Sequence, residues 1–369
     1  MSTRAFSNPV VFSRAVVARV TATVSGLRAD VILKTDGAGW ILDQFCRQLQ
    51  TELSGELSVQ AVRASAVGLR RRIIHFMGSE CFFDPNWSRR YHHSNAMIGL
   101  WWHGSDTSLE PSIRAAAQRV ETSSRRLARV HVTCSISGGI VRHLGVPEEK
   151  IVLVPMGVDA TLYRPPDGPS ERASAKSRLG LPADSLVVGS FQKDGVGWGD
   201  GDEPKLIKGP DVFARVVARL AERHRVVALI PGPARGYLKR ELQAAGVSFR
   251  ADGFVQVASM RDYYLACDMY LMTGREEGGP AATLEALACG VPFVGHRSGM
   301  APDVITDGVT GYLADIDDVE ELVRKADRLL RNPGLRSEFA NAGLLIARAY
   351  AWSHIAPMYE RLYKSIRPS

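Results

Sequence analysis

Two acids, Glu277 and Glu285, bracket the segment Gly278-Gly279-Pro280-Ala281-Ala282-Thr283-Leu284. Paired glycines let a backbone approach a ligand closely, and proline suits the first position of a helix. Helix N-termini attract phosphate, so amides over 281–283 would face a diphosphate. Glu277, just before that helix, could accept hydrogen bonds from a sugar. Glu285, one turn inside it, could accept from ribose hydroxyls. Equally, Glu277 reads as an acid that complements the helix dipole and Glu285 as a solvated helix residue, and the local chemistry leaves both readings open. Lys208, in "KLIKGPDVF", and His103, in "WWHGSD", are a cation at a helix start and an imidazole at a strand end. Each has a structural reading beside the chemical one. Asp36, Glu80 and Asp106 are acids with no assignable role.

The elements that must position these residues are short apolar runs alternating with helical patterns. Strands are predicted over 29–34, 57–62, 72–77, 97–102, 130–134 and 150–155, and helices over 40–53, 111–126 and 138–144. The turn Thr35-Asp36-Gly37-Ala38-Gly39 joins the first strand to the first helix, the opening of a nucleotide-type unit or simply a tight turn. A proline-rich patch over 163–169 reads as a linker. Beyond it the alternation restarts, with strands over 186–191, 225–230, 249–254, 269–272, 292–295 and 311–313. Helices are predicted over 209–223, 236–245, 260–267, 281–289, 319–331 and 335–349. Such alternation implies parallel sheets covered on both faces, here two doubly wound halves in tandem. In open α/β sheets ligands bind beyond the carboxyl ends of strands, so the cleft between two such halves is the expected site. The glycine-rich loop over 193–204 is expected to be mobile, and 352–366 has the spacing of an amphipathic terminal helix.

Composition narrows the function classes. The chain has 369 residues, 45% of them hydrophobic, and suits two domains. No apolar run reaches the roughly 18 residues of a membrane span. The five cysteines are scattered, odd in number and without metal-type spacing, which implies reduced thiols in a cytosolic protein. Net charge is +7, and residues 1–160 carry 19 Lys/Arg against 13 Asp/Glu. Clusters such as Arg70-Arg71-Arg72, Arg89-Arg90 and Arg125-Arg126 read as solvated faces or as a surface for an anionic partner. Nothing resembling a zinc finger or an RNA-binding aromatic signature accompanies them, which argues against nucleic acid. Residues 1–29 hold four arginines and no acid, a composition shared by transit peptides, surface segments and extra or disordered starts.

The segment over 284–322, "LEALACGVPFVGHRSGMAPDVITDGVTGYLADIDDVEEL", and the earlier "ARVHVTCSISGGIVRHLGVPEEKIVLVPMGVDATLYRPP" over 128–166 carry a further signal. With Glu277 and Glu285 spaced as Glu-x7-Glu, they resemble glycosyltransferase family 4, the retaining GT-B glycosyltransferases of group 1. The resemblance implies an α/β fold of GT-B type: two Rossmann-like doubly wound domains facing across a cleft. Residues 1–164 would bind the acceptor, 165–349 the nucleotide sugar, and 350–369 would form a terminal helix crossing back to the first domain.

It also implies transfer of a hexose-type sugar from a nucleoside diphosphate to a glycan, lipid or other hydroxyl acceptor, with retention and without a metal or other cofactor. No Asp-x-Asp pair sits where a divalent ion would bridge a diphosphate. By position, Glu285 would bind ribose and Glu277 the donor sugar near its anomeric carbon. Gly278, Gly279, Pro280 and the amides of Ala281, Ala282 and Thr283 would hold sugar and phosphate. Lys208 would neutralise the diphosphate, Val255 would meet the base, and His103 would lie near the reacting centre. Gly37 and Gly39 would close over donor and acceptor. Ser190 stands where the family usually has arginine, and Lys193, three residues on, is the expected substitute. Met156 replaces a common asparagine. A cytoplasmic enzyme of cell-envelope polysaccharide synthesis is expected, in peripheral contact with an anionic membrane. A GT-B-like epimerase and a catalytically silent nucleotide-sugar-binding partner are the alternatives.

Overall fold

The computed structural model describes residues 29–35, 41–53, 55, 57–63, 66–197, 199–366 and 368. Gly37, Gly39, Asp36 and the segment 1–28 therefore lie outside the described residues. The strands are short, and those inside each sheet are almost wholly buried because helices cover both faces, while the edge strands Val59–Val62, Ile151–Leu153 and Ser248–Arg250 are partly exposed.

Six of them make a parallel sheet in the order β2-β1-β3-β4-β5-β6. These are β1 (Val31–Lys34), β2 (Val59–Val62), β3 (Ile73–Phe76), β4 (Ala96–Trp101), β5 (Arg129–Val132) and β6 (Ile151–Leu153). The other six are β7 (Leu186–Gly189), β8 (Val226–Leu229), β9 (Ser248–Arg250), β10 (Met269–Met272), β11 (Phe293–His296) and β12 (Tyr312–Ala314). They form a second parallel sheet, ordered β12-β11-β10-β7-β8-β9. That order is doubly wound, and the direction of winding reverses between β7 and β10. The loops leaving those two neighbours, 190–208 and 273–280, consequently open side by side into one crevice.

Helix termini carry local signals that explain where they stop and start. Asp318 accepts a hydrogen bond from the Glu321 amide to cap Val319–Arg331, and Asn332 does the same from Leu335 at 3.0 Å for Pro333–Ala349. Pro169–Arg178 is helical although the sequence reads as linker up to 169. Only Ala175 of it is buried, so it shows no apolar periodicity. Ion pairs such as Arg178–Asp262 (2.7 Å) hold it to the second domain.

The terminal helix Trp352–Lys364 belongs to the first domain's core. Trp352, Ile355, Tyr359 and Tyr363 are buried with Phe45, Leu49, Val31 and Ile98. Beneath it, Tyr363 Oη lies 3.0 Å from His75 Nδ1, and His75 Nε2 lies 3.1 Å from His131 Nδ1. His131 Nε2 is 2.8 Å from the Val154 carbonyl. One proton arrangement satisfies the chain: Tyr363 donates to His75, His75 to His131, and His131 to Val154.

The glycine-rich loop expected to be mobile is tied down over its described residues. Asp194 and Arg235, both buried, pair at 3.0 Å, and Arg235 donates to the Ser190 carbonyl at 2.7 Å. Tyr237 N bonds Gly201 O at 3.1 Å. None of the five cysteines is in a disulfide, and all are buried. Among the described residues no helix is long and apolar enough to cross a membrane.

Candidate functional site

Lys208 ends a single 3-10 turn, Leu206–Lys208, and is followed by Gly209 at φ +62° and Pro210, which opens Pro210–Ala221. A Cβ on Gly209 would lie 1.9 Å from the Thr273 carbonyl. Only glycine lets the start of this helix touch the end of β10. That contact sets Lys208 against the loop bearing Glu277, and its Nζ donates to Glu277 Oε2 at 2.6 Å. Glu277 is only 7% exposed. A pair so poorly hydrated is costly to keep for stability alone, which marks it as a functional candidate.

The loop that carries Glu277 is braced from its own domain. Arg275 reaches Asp211 and Asp317, each at 2.7 Å. Met300 N donates to Gly278 O at 2.8 Å. Pro280 is the N-cap of Ala281–Ala288 rather than its first residue, so the helix starts at 281, as its predicted span over 281–289 has it. Thr283 N is bonded to Pro280 O at 3.0 Å and the Thr283 side chain is buried. The first-turn amides that helix geometry leaves for a ligand are thus those of Ala281 and Ala282, without Thr283.

His103 follows β4. The two preceding tryptophans fix its loop, Trp101 Nε1 donating to Gly104 O (3.1 Å) and Trp102 Nε1 to Met77 O (2.9 Å). His103 Nδ1 is buried and has no hydrogen-bond partner. Burial, then the charges of Lys208 and Lys205, hold the imidazole well below its usual range, so it is neutral. The first domain thereby presents an uncharged histidine to the lysines of the second.

Lys205 is a residue that the sequence reading did not single out. It stands three before Lys208 across the 3-10 turn, where positions i and i+3 eclipse. Burial and Lys208 depress its ammonium, Glu110 opposes them, and Lys193 adds to the depression. Lys193 is itself lowered by burial. Three lysines therefore converge on this end of the cleft, and "KLIK" spacing was the available signal.

Glu285 lies behind the loop, on the inner side of Ala281–Ala288. Tyr264 Oη donates to its Oε2 at 2.6 Å, and the Tyr163 hydroxyl also bonds the carboxylate. Burial pushes the carboxyl up to about 7, against the pull of the two tyrosine hydroxyls. Val255 is partly buried and packs on the second domain's core, while its neighbour Phe254 is 65% exposed.

The two domains meet at the glycines. A Cβ on Gly278 would lie 2.2 Å from the Trp102 carbonyl, and one on Gly279 would lie 3.2 Å from Thr133 Oγ1 and 3.4 Å from Met156 Cγ. Met156, where a polar asparagine is usual, thus supplies an apolar wall. A separate cavity of about 130 Å³, lined by Thr133, Ser135, Leu153, Pro155, Met300, Asp303 and Tyr350, borders the junction without including the lysines or either Glu277 or Glu285. Among the described residues no cluster of His, Cys, Asp and Glu could hold a metal ion.

Comparison with known proteins gives this geometry a context. The family described as Glycosyl transferases group 1 matches residues 204–344. A D-inositol 3-phosphate glycosyltransferase of Xylanimonas cellulosilytica is 30% identical over 258 residues, 67% of this chain and 57% of that protein. One from Streptomyces bingchenggensis is 28% identical over 61% of this chain and 50% of its own length. The chain spans little more than half the length of these relatives. Among solved structures, HepE from Anabaena in complex with UDP-glucose superposes with a TM-score of 0.69 at 17% identity, covering 91% of this chain and 100% of the other. Sucrose-phosphate synthase from Thermosynechococcus elongatus superposes at 0.70 and 16% identity, with 91% and 98% covered. The chain has the GT-B fold, and the segment that bears Lys205, Lys208, Glu277 and Glu285 is a domain of Glycosyl transferases group 1.

Proposed function

We propose that this protein is a retaining, metal-independent glycosyltransferase that moves a hexose-type sugar from a nucleoside diphosphate to a hydroxyl acceptor. The observation that carries the reading is the Lys208–Glu277 pair at 2.6 Å, set beside Lys205 and facing neutral His103. A diphosphate would compete with Glu277 for Lys208. Lys205 and Lys193 would share its charge, in place of the arginine that Ser190 lacks. Its oxygens would also take the amides of Ala281 and Ala282. Glu277, released from the lysine, would accept from the sugar near its anomeric carbon, and Glu285 would accept from ribose.

In the reaction the anomeric C–O bond to the diphosphate breaks as the acceptor oxygen bonds the same face of that carbon. The acceptor proton passes to the departing phosphate oxygen, so no separate base is required. The lysines stabilise the charge growing on the leaving group, and His103 holds the sugar without adding a charge. Closure of Gly278 against Trp102 excludes water and favours transfer over hydrolysis. UDP-glucose bound to HepE and the inositol-phosphate glycosyltransferases among the relatives support a nucleotide-sugar donor.

The acceptor is a glycan or lipid-linked hydroxyl compound. Exposed Arg70, Arg71, Arg89, Arg90, Arg125 and Arg126 on the first domain favour an anionic acceptor or membrane surface. The test is nucleotide release by pure protein from UDP-, GDP- and ADP-sugars with candidate acceptors. One donor should turn over, and Lys208→Ala should weaken its binding about tenfold or more. Epimerised donor without transfer would replace this reading with an epimerase, and binding without turnover would leave a silent partner.

A further inference from the structure

Glu276, beside Glu277, is anchored in the second domain but spends its carboxylate in the first. Its backbone amide bonds the Ile207 carbonyl at 3.1 Å, and the adjoining Arg275 is locked to Asp211 and Asp317. The side chain crosses the cleft. Ser108 Oγ donates to Glu276 Oε2 at 2.6 Å, and Leu109 N donates to Oε1 at 3.0 Å. The receiving socket is built in: Ser108 is 2% exposed and its hydroxyl also accepts from Glu110 N at 3.1 Å. It lies five residues beyond His103. Gly104, next to that histidine, is tight against the same carboxylate, because a Cβ there would lie 2.8 Å from Glu276 Oε2.

A second contact of the same kind stands on the other side of the Gly278-Gly279 loop. Asp303 Oδ2 accepts from Ser135 N at 2.8 Å, and Asp303 also bonds Ser135 Oγ. Ser135 is the first residue of the helix Ser135–His143, whose early amides have no intrahelical acceptor. In both places a serine hydroxyl and a backbone amide of the first domain grip one carboxylate of the second. Both grips are made in the arrangement that sets Gly278 against Trp102.

We propose that Glu276 is a positioning residue: it latches the His103 loop over Glu277, with Asp303 as a second latch that holds the domains shut. The latch stands on the contacts alone, and only its kinetic consequence rests on the glycosyltransferase reading. A cation at Lys208 and a neutral imidazole at His103 act on one donor only if the two domains share a fixed relative position. The carboxylate next in chain to Glu277 is what makes that position discrete.

The test uses the full chain, labelled with a dye pair at Glu149→Cys in the first domain and Glu338→Cys in the second, with UDP as the added ligand. Glu276→Ala should lower the closed, high-transfer population, and Glu276→Gln should retain part of it through its one remaining acceptor oxygen. Ser108→Ala should lower it too, and combining it with Glu276→Ala should add little beyond Glu276→Ala itself. With a turned-over donor, Glu276→Ala should cut kcat about tenfold or more, while donor KM moves less than about threefold. Melting temperatures close to wild type would accompany these changes. An unchanged closed population in folded Glu276→Ala, or additive effects of the Ser108 and Glu276 changes, would overturn the latch. If no donor turns over but the population shifts, the latch stands and the enzyme reading fails.

Discussion

Glu285 shows how one residue can couple burial to ligand binding. Its carboxyl sits at about 7 because burial outweighs the two tyrosine hydroxyls, against about 4.3 in an unfolded chain. Between those values the folded protein holds a proton that the unfolded chain has released. Stability contributed by this group is therefore present at about pH 4.5 and declines as pH rises to about 7, flattening above. Thermal denaturation of Glu285→Gln beside wild type should show it, the wild type losing ground to the variant across that window. If the carboxylate receives ribose hydroxyls, UDP affinity should rise as pH passes through about 7, and calorimetry should find no such rise in Glu285→Gln. Tyr264→Phe removes a hydrogen bond to the charged form, so it should move the midpoint upward. At this scale the sequence showed Glu277, Glu285, Lys208 and His103 as candidates. It could not show Tyr264 and Tyr163, which meet Glu285 only through tertiary folding, or that Lys208 spends its charge on Glu277.

At the scale of elements, the terminal helix is held to the first sheet by a polar chain inside an apolar interface. Burial pushes His131 down to about 4, and burial with the neighbouring His131 holds His75 well below its usual range. Both are neutral when folded and titrate near 6.5 when unfolded. Their contribution is complete above about pH 6.5 and is lost as pH falls below it, for His131 down to about 4. Urea midpoints at pH 7 and pH 5 should show this loss. The double variant His75→Gln/His131→Gln should be less stable at pH 7, with a smaller difference between the two pH values. An equal difference would mean that other groups set the acid limit. The strands were legible because a parallel strand buried on both faces is a short apolar run, whichever residues flank it. Pro169–Arg178 was not, since one buried alanine leaves no period to read. The loop over 193–204 looked mobile from its glycines, whereas Gly195 and Gly201 are there because Ala234 approaches them, with its carbonyl 2.3 and 2.5 Å from the Cβ each would carry.

For the whole molecule, the decisive quantity is how closely two backbones from different domains approach. A Cβ at position 278 would stand 2.2 Å from the Trp102 carbonyl oxygen and 3.1 Å from its carbon. Neither side can yield locally. Met300 N holds Gly278 O at 2.8 Å, and Trp102 is pinned through its indole to Met77 O at 2.9 Å. The methyl group of Gly278→Ala must therefore separate the domains, breaking the Glu276 and Asp303 contacts together. Gly279→Ala is the matched control, because its nearest neighbours, Thr133 Oγ1 at 3.2 Å, Thr133 Cβ at 3.3 Å and Met156 Cγ at 3.4 Å, need give by only a few tenths of an ångström. Small-angle scattering with UDP present should give a larger radius of gyration for Gly278→Ala than for Gly279→Ala or wild type. UDP affinity should stay within a few-fold, since Lys208, Glu285 and the Ala281 amide all belong to the second domain. Transfer should fall on the order of a hundredfold, the scale expected when reacting groups are displaced by about 1 Å. A compact Gly278→Ala protein with normal turnover would show that chemistry proceeds without the Trp102 contact, and that the glycine serves the local turn alone.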